Sequence, residues 1–355
     1  MSESIISKLT SNSESRTYQN YDRPAWRRIL LNQETFVILL LVVVWIVASS
    51  TLNNFGTTTT VDFLLFDVAP ILMIAVPEAL VIITGEIDLS VGSIVGLSSG
   101  AVGMAVNAHW GFVAAMVLAM VVGLVCGLIN GLLVTLLGLP SLAVTIGTLA
   151  LFRGIAVGLL GSNAYTTFPT FWTNLAQGNI APGFPIVMPL VILIIVIFAV
   201  LLHFTPFGRG VFAIGLSKDA ATFSGIRVGR TKLLLFLFTG LVSGIAGIYW
   251  TLQYGTAISS NAVGLELQVI APVLLGGVSV FGGKGAVPGI IAGVLLIGVL
   301  QSALSLAGVT SDGINVVTGA LLVAAVISTT ILAWARRRRP AVRARTIGVD
   351  SRTRD

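Results

Sequence analysis

The sequence predicts an all-α polytopic membrane protein with about ten transmembrane helices and both termini in the cytoplasm. Two observations support this fold class. Hydrophobic residues make up 55% of the 355 residues and charged residues only 10%, whereas soluble domains contain roughly 25% charged residues. The apolar residues also form continuous runs of about 20 residues, which is the length of a membrane-crossing helix, and they do not alternate as in a β-barrel strand.

Ten apolar runs are candidates for these transmembrane helices. The eighth run, 267–281, is short and rich in glycine, which indicates a broken or tilted span. The 39 glycines of the chain fit a membrane helix bundle, because small residues let helices approach each other closely. The predicted spans are 36–52, 62–84, 91–107, 112–137, 141–161, 186–204, 233–253, 267–281, 286–306 and 314–334.

The basic residues indicate which side of the membrane each loop occupies. All but two of the 20 lysines and arginines lie in the tail 1–35, the loop 205–232 or the tail 336–355. An even number of spans puts these three segments on one side, and the positive-inside rule makes that side cytoplasmic. We therefore predict a cytoplasmic N-terminal tail (1–35), a transmembrane domain (36–335) with a cytoplasmic loop (205–232), and a basic cytoplasmic C-terminal tail (336–355).

The composition argues against several kinds of site. Cys126 is the single cysteine, and His109 and His203 are far apart in the chain, so we predict no metal site. No nucleophile, base and acid are grouped as they are in an enzyme, so we predict no catalytic residue. The run RRRRPAVRAR follows the last span directly, which favours an anchor on anionic membrane lipid over a nucleic-acid patch.

Ionisable groups inside membrane spans are costly, and they are therefore functional candidates. The segment ITGEIDLSVG places Glu86 and Asp88 at the end of the second predicted span. Three interpretations stay open for these acids: a solvated turn, a broken segment that packs against a gate, and a direct contact with solute. Asp88 and Ser90 are also candidate caps for the third span. Arg153, inside the fifth span, and Gln268 complete the candidates for a gate or a translocation path.

The loop 205–232 contains a predicted short helix of about eight residues outside the bilayer. Ser217 is a favourable N-cap, Asp219 falls in the first helical turn, and Gly225 is a plausible stop. From these residues alone, an ordinary interfacial loop and a docking element for another protein are equally good interpretations.

Three motifs taken together resemble the permease subunit of bacterial ATP-binding-cassette sugar importers, of the ribose, rhamnose and autoinducer-2 type. The motifs are TGEIDLSVGS, FGRGVFAIGLSKDAATFSGI and GLELQVIAPVLLGGVSVFGGKGAVPG, and the resemblance covers residues 71–330. It implies ATP-driven uptake of a monosaccharide or a similar small solute across the bacterial inner membrane. The implied partners are a pair of cytoplasmic ATPase subunits, a second permease subunit (identical or related), and an extracytoplasmic sugar-binding protein.

The same resemblance implies that the short helix couples the permease to the ATPase. The residues assigned to this coupling segment are Ser217, Lys218, Asp219, Ala220, Ala221, Thr222, Phe223, Ser224 and Gly225. The chain lacks the G-x-x-x-x-G-K-[ST] phosphate-binding pattern. We therefore expect ATP and Mg²⁺ to act in the partner subunit, and this chain to be neither an enzyme nor a cofactor-binding protein.

Side chains that bind sugars are sparse in the predicted spans, and this predicts a path that holds its solute weakly. They are Asn130, Thr145, Tyr249, Trp250, Gln253, Gln268 and Gln301. An ion-coupled secondary sugar transporter is the alternative, because broken helices with acids inside the membrane are typical of that class.

Overall fold

Helices account for most of the chain that the computed structural model describes, which is residues 33–321 and 323. The helices are α1 (Gln33–Thr51), α2 (Thr58–Ile83), α3 (Val91–Asn107), α4 (Phe112–Thr135), α5 (Ser141–Leu160), α6 (Thr170–Gln177), α7 (Met188–Phe204), α8 (Pro206–Leu216), α9 (Lys218–Phe223), α10 (Val228–Tyr254), α11 (Leu265–Leu275) and α12 (Val287–Leu306). A further helical stretch starts at residue 311. Most of both predicted tails, and the second half of the tenth predicted span, lie outside the described residues.

Six of these helices are long and apolar enough to cross a membrane, namely α1, α2, α4, α5, α10 and α12. The bent pair α7–α8 makes a seventh if it is counted as one span, and its two helices meet at 70°. The bend lies at Thr205, whose Oγ1 accepts a hydrogen bond from the backbone N of Gly208 at 3.3 Å and so caps α8. The helices α3 and α11 are apolar but shorter. The helical membrane class is therefore confirmed, whereas the count of about ten spans stays a prediction.

The eighth predicted span, 267–281, is helical only as far as Leu275. The chain then forms a turn in which Gly277, Gly282 and Gly283 adopt φ values of 98°, 81° and 73°. Glycine adopts positive φ without the steric penalty that a Cβ brings, so Gly277 turns the chain just after the helix, and Gly282 and Gly283 shape the rest of the turn. The predicted break in this span is thus present, and it lies in the second half of the span.

The loop between α5 and α7 contains structure that the sequence did not indicate. It holds α6 and a two-stranded antiparallel hairpin of β1 (Asn179–Ala181) and β2 (Phe184–Pro185). The ring of Trp172 in α6 packs on that of Phe112, with centroids 5.4 Å apart. Gln177 donates a hydrogen bond from its side-chain amide to the carbonyl of Leu252 at 3.1 Å. The predicted all-α class therefore describes the bundle, and this small hairpin lies on one end of it.

The helix α10 packs against α2, α3 and α4 at the centre of the bundle. Its crossing with α4 is close because glycines face each other there. A Cβ added to Gly240 would lie 2.8 Å from the Cα of Gly127, and a Cβ added to Gly244 would lie 2.8 Å from the carbonyl oxygen of Ala119. Close contact of this kind stabilises membrane helix pairs through van der Waals packing.

The bundle has two ends, which we name by the features that meet there. At the junction end, the segment 84–90 after α2 and the turn 276–286 after α11 meet the loop that carries α8 and α9. At the cavity end, the loop that carries α6 and the hairpin meets the segment 255–264 before α11, and Tyr165 and Ala257 form a backbone bridge.

We predict that Gly240→Ala destabilises the protein by about 1–3 kcal/mol, because the added methyl group overpacks the crossing of α4 and α10. Gly229→Ala is the matched control on the same helix, since a Cβ there meets nothing within 4 Å. Thermal unfolding in detergent, followed by the loss of monodisperse protein, measures the difference. Equal melting temperatures for the two variants would contradict this account of the crossing.

Candidate functional site

The non-helical segment 84–90 joins α2 to α3 and contains three of the predicted site residues. Gly85 begins this break with a φ of 83°. The Oδ1 atom of Asp88 accepts hydrogen bonds from the backbone N of Ser90 at 2.9 Å and from its Oγ at 2.6 Å. Ser90 occupies the N-cap position of α3 but makes no side-chain cap bond of its own. Asp88 is therefore the residue whose side chain fixes the start of α3.

Three other helices hold Asp88 and Ser90 in place. Glu78 of α2 accepts a hydrogen bond from the backbone N of Asp88 at 3.1 Å. Asn130 of α4 donates to the Oγ of Ser90 at 2.7 Å. Thr239 of α10 donates to the Oδ2 of Asp88 at 3.4 Å. All five side chains are fully buried, and we call them the Asp88 network: Glu78, Asp88, Ser90, Asn130 and Thr239. Buried polar groups are costly unless they are hydrogen-bonded. The hydrogen bonds of the network therefore hold α2, α4 and α10 against the break.

Glu86 lies next to this network and forms an ion pair with Lys232 near the start of α10. The two side chains are largely buried, with 17% of Glu86 and 10% of Lys232 exposed. Between the two acids, Ile87 donates its backbone N–H to Ser141 at 3.2 Å and accepts from Thr145 at 3.1 Å. The segment is thus packed into the protein and is not a solvated turn.

Glu78, Asn130 and Thr239 are the members of the Asp88 network that sequence reasoning left out of the candidate site, and Glu78 is the charged one among them. The available signal was its position in the middle of a span, directly after Pro77. The sequence did not show that Glu78 would bind the backbone of Asp88, ten residues later. The two meet only because the chain turns back on α2 after the break at Gly85.

The predicted short helix exists as α9, although it covers six residues and not about eight. Ser217 caps it as expected, since its Oγ accepts a hydrogen bond from the backbone N of Ala220 at 3.3 Å. Gly225, with a φ of 81°, ends the turn that follows. Leu216 and Phe223 expose 72% and 92% of their surface, which leaves two large apolar side chains uncovered beside α9.

The helix α8 contacts the end of α2 and the turn 276–286 backbone to backbone. The backbone N of Gly283 donates to the carbonyl of Ile83 at 2.8 Å. A Cβ on Gly215 would collide with both of these groups, and a Cβ on Gly282 would lie 2.9 Å from the carbonyl oxygen of Gly215. We call this contact the glycine junction. Backbone therefore meets backbone where α8, the end of α2 and the turn 276–286 come together.

Arg153 of α5 binds backbone carbonyl groups. Its guanidinium donates to the carbonyls of Ser259, Asn261 and Ala262 at 3.1, 2.6 and 3.2 Å, and to that of Gly92 at 3.4 Å. Among the described residues, no acid lies within ion-pair distance of it. Arg153 therefore fastens the segment before α11 to α3 and α5.

A cavity of about 570 Å³ lies at the cavity end, between α2, α10, α11, α12 and the stretch that starts at residue 311. Gln268 lines it together with Trp250 and Gln301, which are far apart in the sequence. Tyr254 donates a hydrogen bond to Asp67 at 3.5 Å, and both residues line the cavity. The rings of Trp250 and Tyr254 have their centroids 4.9 Å apart.

The five predicted gate or path residues are thus not brought together at one site. Glu86, Asp88 and Ser90 lie at the junction end, Gln268 lies in the cavity, and Arg153 holds the segment that precedes α11. A bundle of membrane-length helices with a cavity at one end and a packed helix break at the other fits a transport protein.

Comparison with known proteins identifies the kind of transporter. Residues 60–326 match the family described as branched-chain amino acid transport system / permease component, and the chain belongs to this permease family. The chain is similar to autoinducer 2 import system permease proteins LsrD. It is 34% identical to that of Photorhabdus luminescens over 265 residues, which are 73% of this chain and 79% of the relative. For Yersinia enterocolitica the identity is 34% over 283 residues, which cover 76% and 85% of the two chains. No solved structure matches the chain.

Family membership confirms the resemblance that the three motifs indicated. The chain is a permease, which is a transport protein and not an enzyme, and it resides in the bacterial inner membrane.

We predict that Arg153→Lys destabilises the protein by about 3 kcal/mol, because lysine keeps the charge but loses the planar fork that binds several carbonyls at once. Arg230→Lys is the control, since Arg230 is exposed. Unfolding of both variants in detergent measures the effect. If the two variants unfold alike, Arg153 does not fasten the segment before α11.

Proposed function

We propose that this chain is the transmembrane permease subunit of an ATP-driven importer for a monosaccharide or a similar small polyol-like solute, of the ribose, rhamnose or autoinducer-2 class. The solute passes from an extracytoplasmic binding protein through the permease into the cytoplasm. Support comes from the family match and from the relatives, whose names describe autoinducer 2 import permeases. These comparisons give no support to an ion-coupled secondary transporter.

A cytoplasmic pair of ATPase subunits binds ATP and Mg²⁺ in this proposal, and the permease itself holds no cofactor. A second permease subunit, identical or related, completes the membrane part of the importer. The binding protein docks at the cavity end, where the polar cavity opens.

The glycine junction is the observation that carries the proposal. The coupling segment 217–225 follows α8 directly, and its exposed Phe223 offers an apolar contact for the ATPase. Closure of the ATPase pair displaces this segment, and the backbone contacts of Gly215 pass the displacement to α2 and, through the turn 276–286, to α11. Both helices extend to the cavity at the other end, so the displacement changes the shape of the cavity.

The proposed topology has about ten spans, with both termini and the coupling segment in the cytoplasm. To the six long helices it adds α3, α7, α11 and the stretch from residue 311 as crossings. The side-chain amide of Gln33, at the start of α1, donates to the carbonyl of Leu275 at 3.4 Å, so α1 starts at the junction end. Apart from Arg153, the lysines and arginines in the described part of the chain lie in segments of the junction end. They are Arg209, Lys218, Arg227, Arg230, Lys232 and Lys284.

The direct test of this function is co-purification of the chain with its ATPase, followed by uptake assays in proteoliposomes. The probes are pentoses, deoxyhexoses and autoinducer 2, each offered with its binding protein. Uptake should require ATP inside the cytoplasmic compartment. Uptake that is driven by an ion gradient and does not depend on ATP would contradict the proposal.

We predict that Phe223→Ala lowers the affinity of the permease for the ATPase pair by about tenfold or more, because exposed aromatic side chains often carry most of the binding energy at an interface. Binding of purified ATPase to immobilised permease measures the change. Phe171→Ala is the control, since Phe171 is 68% exposed but lies at the cavity end. A similar loss in both variants would mean that α9 is not the docking element.

We predict that Asp88→Asn leaves membrane insertion intact but separates ATP hydrolysis from uptake. Asparagine still accepts the bonds from Ser90, whereas its amide group cannot accept the bond from Thr239. The loss of a hydrogen bond to a charged group is expected to lower solute uptake per ATP by about tenfold.

The control for this variant is Asp312→Asn, an exposed acid that belongs to the cavity end. Simultaneous assays of uptake and of phosphate release give the ratio. Normal transport by Asp88→Asn would remove the break between α2 and α3 from the gating mechanism.

A further inference from the structure

We infer that the cavity selects neutral, polyhydroxylated solutes within the permease itself, with Asp67 and Trp250 as specificity-determining residues. This inference rests on the proposed function, because it names the solute contacts along the same transport path. It differs from the expectation that the path holds its solute weakly, which followed from how sparsely sugar-binding side chains occur in each span.

The polar lining of the cavity is suited to hydroxyl groups. Asp67 supplies a carboxylate, and Gln268, Gln301 and Asn315 supply amides that both donate and accept hydrogen bonds. A hydroxyl group also donates and accepts, so a polyhydroxylated solute satisfies both kinds of partner. A solute with fewer hydroxyl groups would leave some of these side chains without a partner when it displaces water, which lowers its affinity.

The charge of the lining opposes an amino acid. Within the described part of the chain, the lining contains one carboxylate, Asp67, and no lysine, arginine or histidine. The carboxylate of an amino acid would enter this cavity without a cation to pair with, and an unpaired charge is costly away from water. The cavity therefore favours the solute class of the relatives over the branched-chain amino acids in the family's description.

An aromatic pair forms one wall of the cavity. Trp250 and Tyr254 are one helical turn apart on α10, with an angle of 46° between their rings. A sugar ring has an apolar C–H face that packs on such a surface while its hydroxyl groups point away from it. Small-molecule sites combine apolar and aromatic walls with a few polar groups in this way, in volumes of ~300–1,000 Å³.

The two halves of this lining are attached to different parts of the bundle. Asp67 belongs to α2, which ends at the glycine junction, and Gln268 belongs to α11, which the turn 276–286 joins to that junction. Trp250 belongs to α10, which the glycines of α4 hold at the centre of the bundle. A movement of the junction therefore shifts the polar groups relative to the aromatic pair. This shift would lower the affinity of the cavity for the solute and release it.

The test uses the whole importer, purified through this chain and reconstituted in proteoliposomes with its ATPase and binding protein. The probes are D-ribose, L-rhamnose, autoinducer 2 and L-leucine. The test variants are Asp67→Asn and Trp250→Leu. Their matched controls at the same end are Asp62→Asn and Trp110→Leu, because neither Asp62 nor Trp110 lines the cavity. Uptake and ATP hydrolysis are measured together for each variant.

We expect the wild-type importer to move a sugar or autoinducer 2 and not L-leucine. Each test variant should lower solute uptake per ATP by about tenfold or more, with ATP hydrolysis and both controls unchanged. Wild-type uptake together with test variants that behave like their controls overturns the inference and leaves the proposed function standing. Preferred uptake of L-leucine overturns the inference as well. A wild-type importer without ATP-driven uptake of any probe counts against the proposed function itself.

Discussion

Inside a bilayer, a buried polar group has to find its partner within the protein, because the hydrocarbon offers none. This constraint determines how α2 can end and α3 can start in the interior of the bundle. The backbone freed at the break is bound by side chains: Glu78 holds the N–H of Asp88, and Asp88 holds that of Ser90. Because Asn130 of α4 and Thr239 of α10 also bind Ser90 and Asp88, the position of the break and the packing of the bundle depend on each other.

The fold also depends on direct contact between helix backbones, which glycine makes possible. The crossing of α4 with α10 and the glycine junction both have backbone where other folds have side chains. The first contact packs two helices at the centre of the bundle, and the second joins α8 to the end of α2 and to the turn 276–286. In the proposed mechanism, the ATPase pair moves the second contact while the first stays packed.

Much of this fold was predictable from the sequence, because the physics of a span is local. Long apolar runs gave the long helices, and Ser217 and Gly225 marked the ends of the short helix correctly. The hairpin after α6 was missed, since two strands of three and two residues leave no periodic pattern. The glycines of the eighth span predicted a broken or tilted segment, but the sequence did not show that the helix would end at Leu275.

The site was less predictable, because its residues meet only through tertiary packing. Asp88 and Gln268 stood out as polar groups in apolar surroundings, yet they lie at opposite ends of the bundle. Asp67 and Tyr254 attracted no attention, since each is near the end of an apolar run where polar residues are ordinary. Nothing in the spacing of Glu78 and Asp88 showed that a main-chain N–H of one would meet the carboxylate of the other.

The length of α2 has a consequence for how such a transporter changes over time. Of its 26 residues, those that line the cavity lie between Thr60 and Ile71 and Ile83 lies at the glycine junction, so about 18 Å of helix separates the cavity from the junction. Substitutions around the cavity do not touch the surface that an ATPase would bind, and substitutions in the coupling loop do not touch the cavity. The same fold can therefore change its solute while keeping its ATPase, or change its ATPase while keeping its solute.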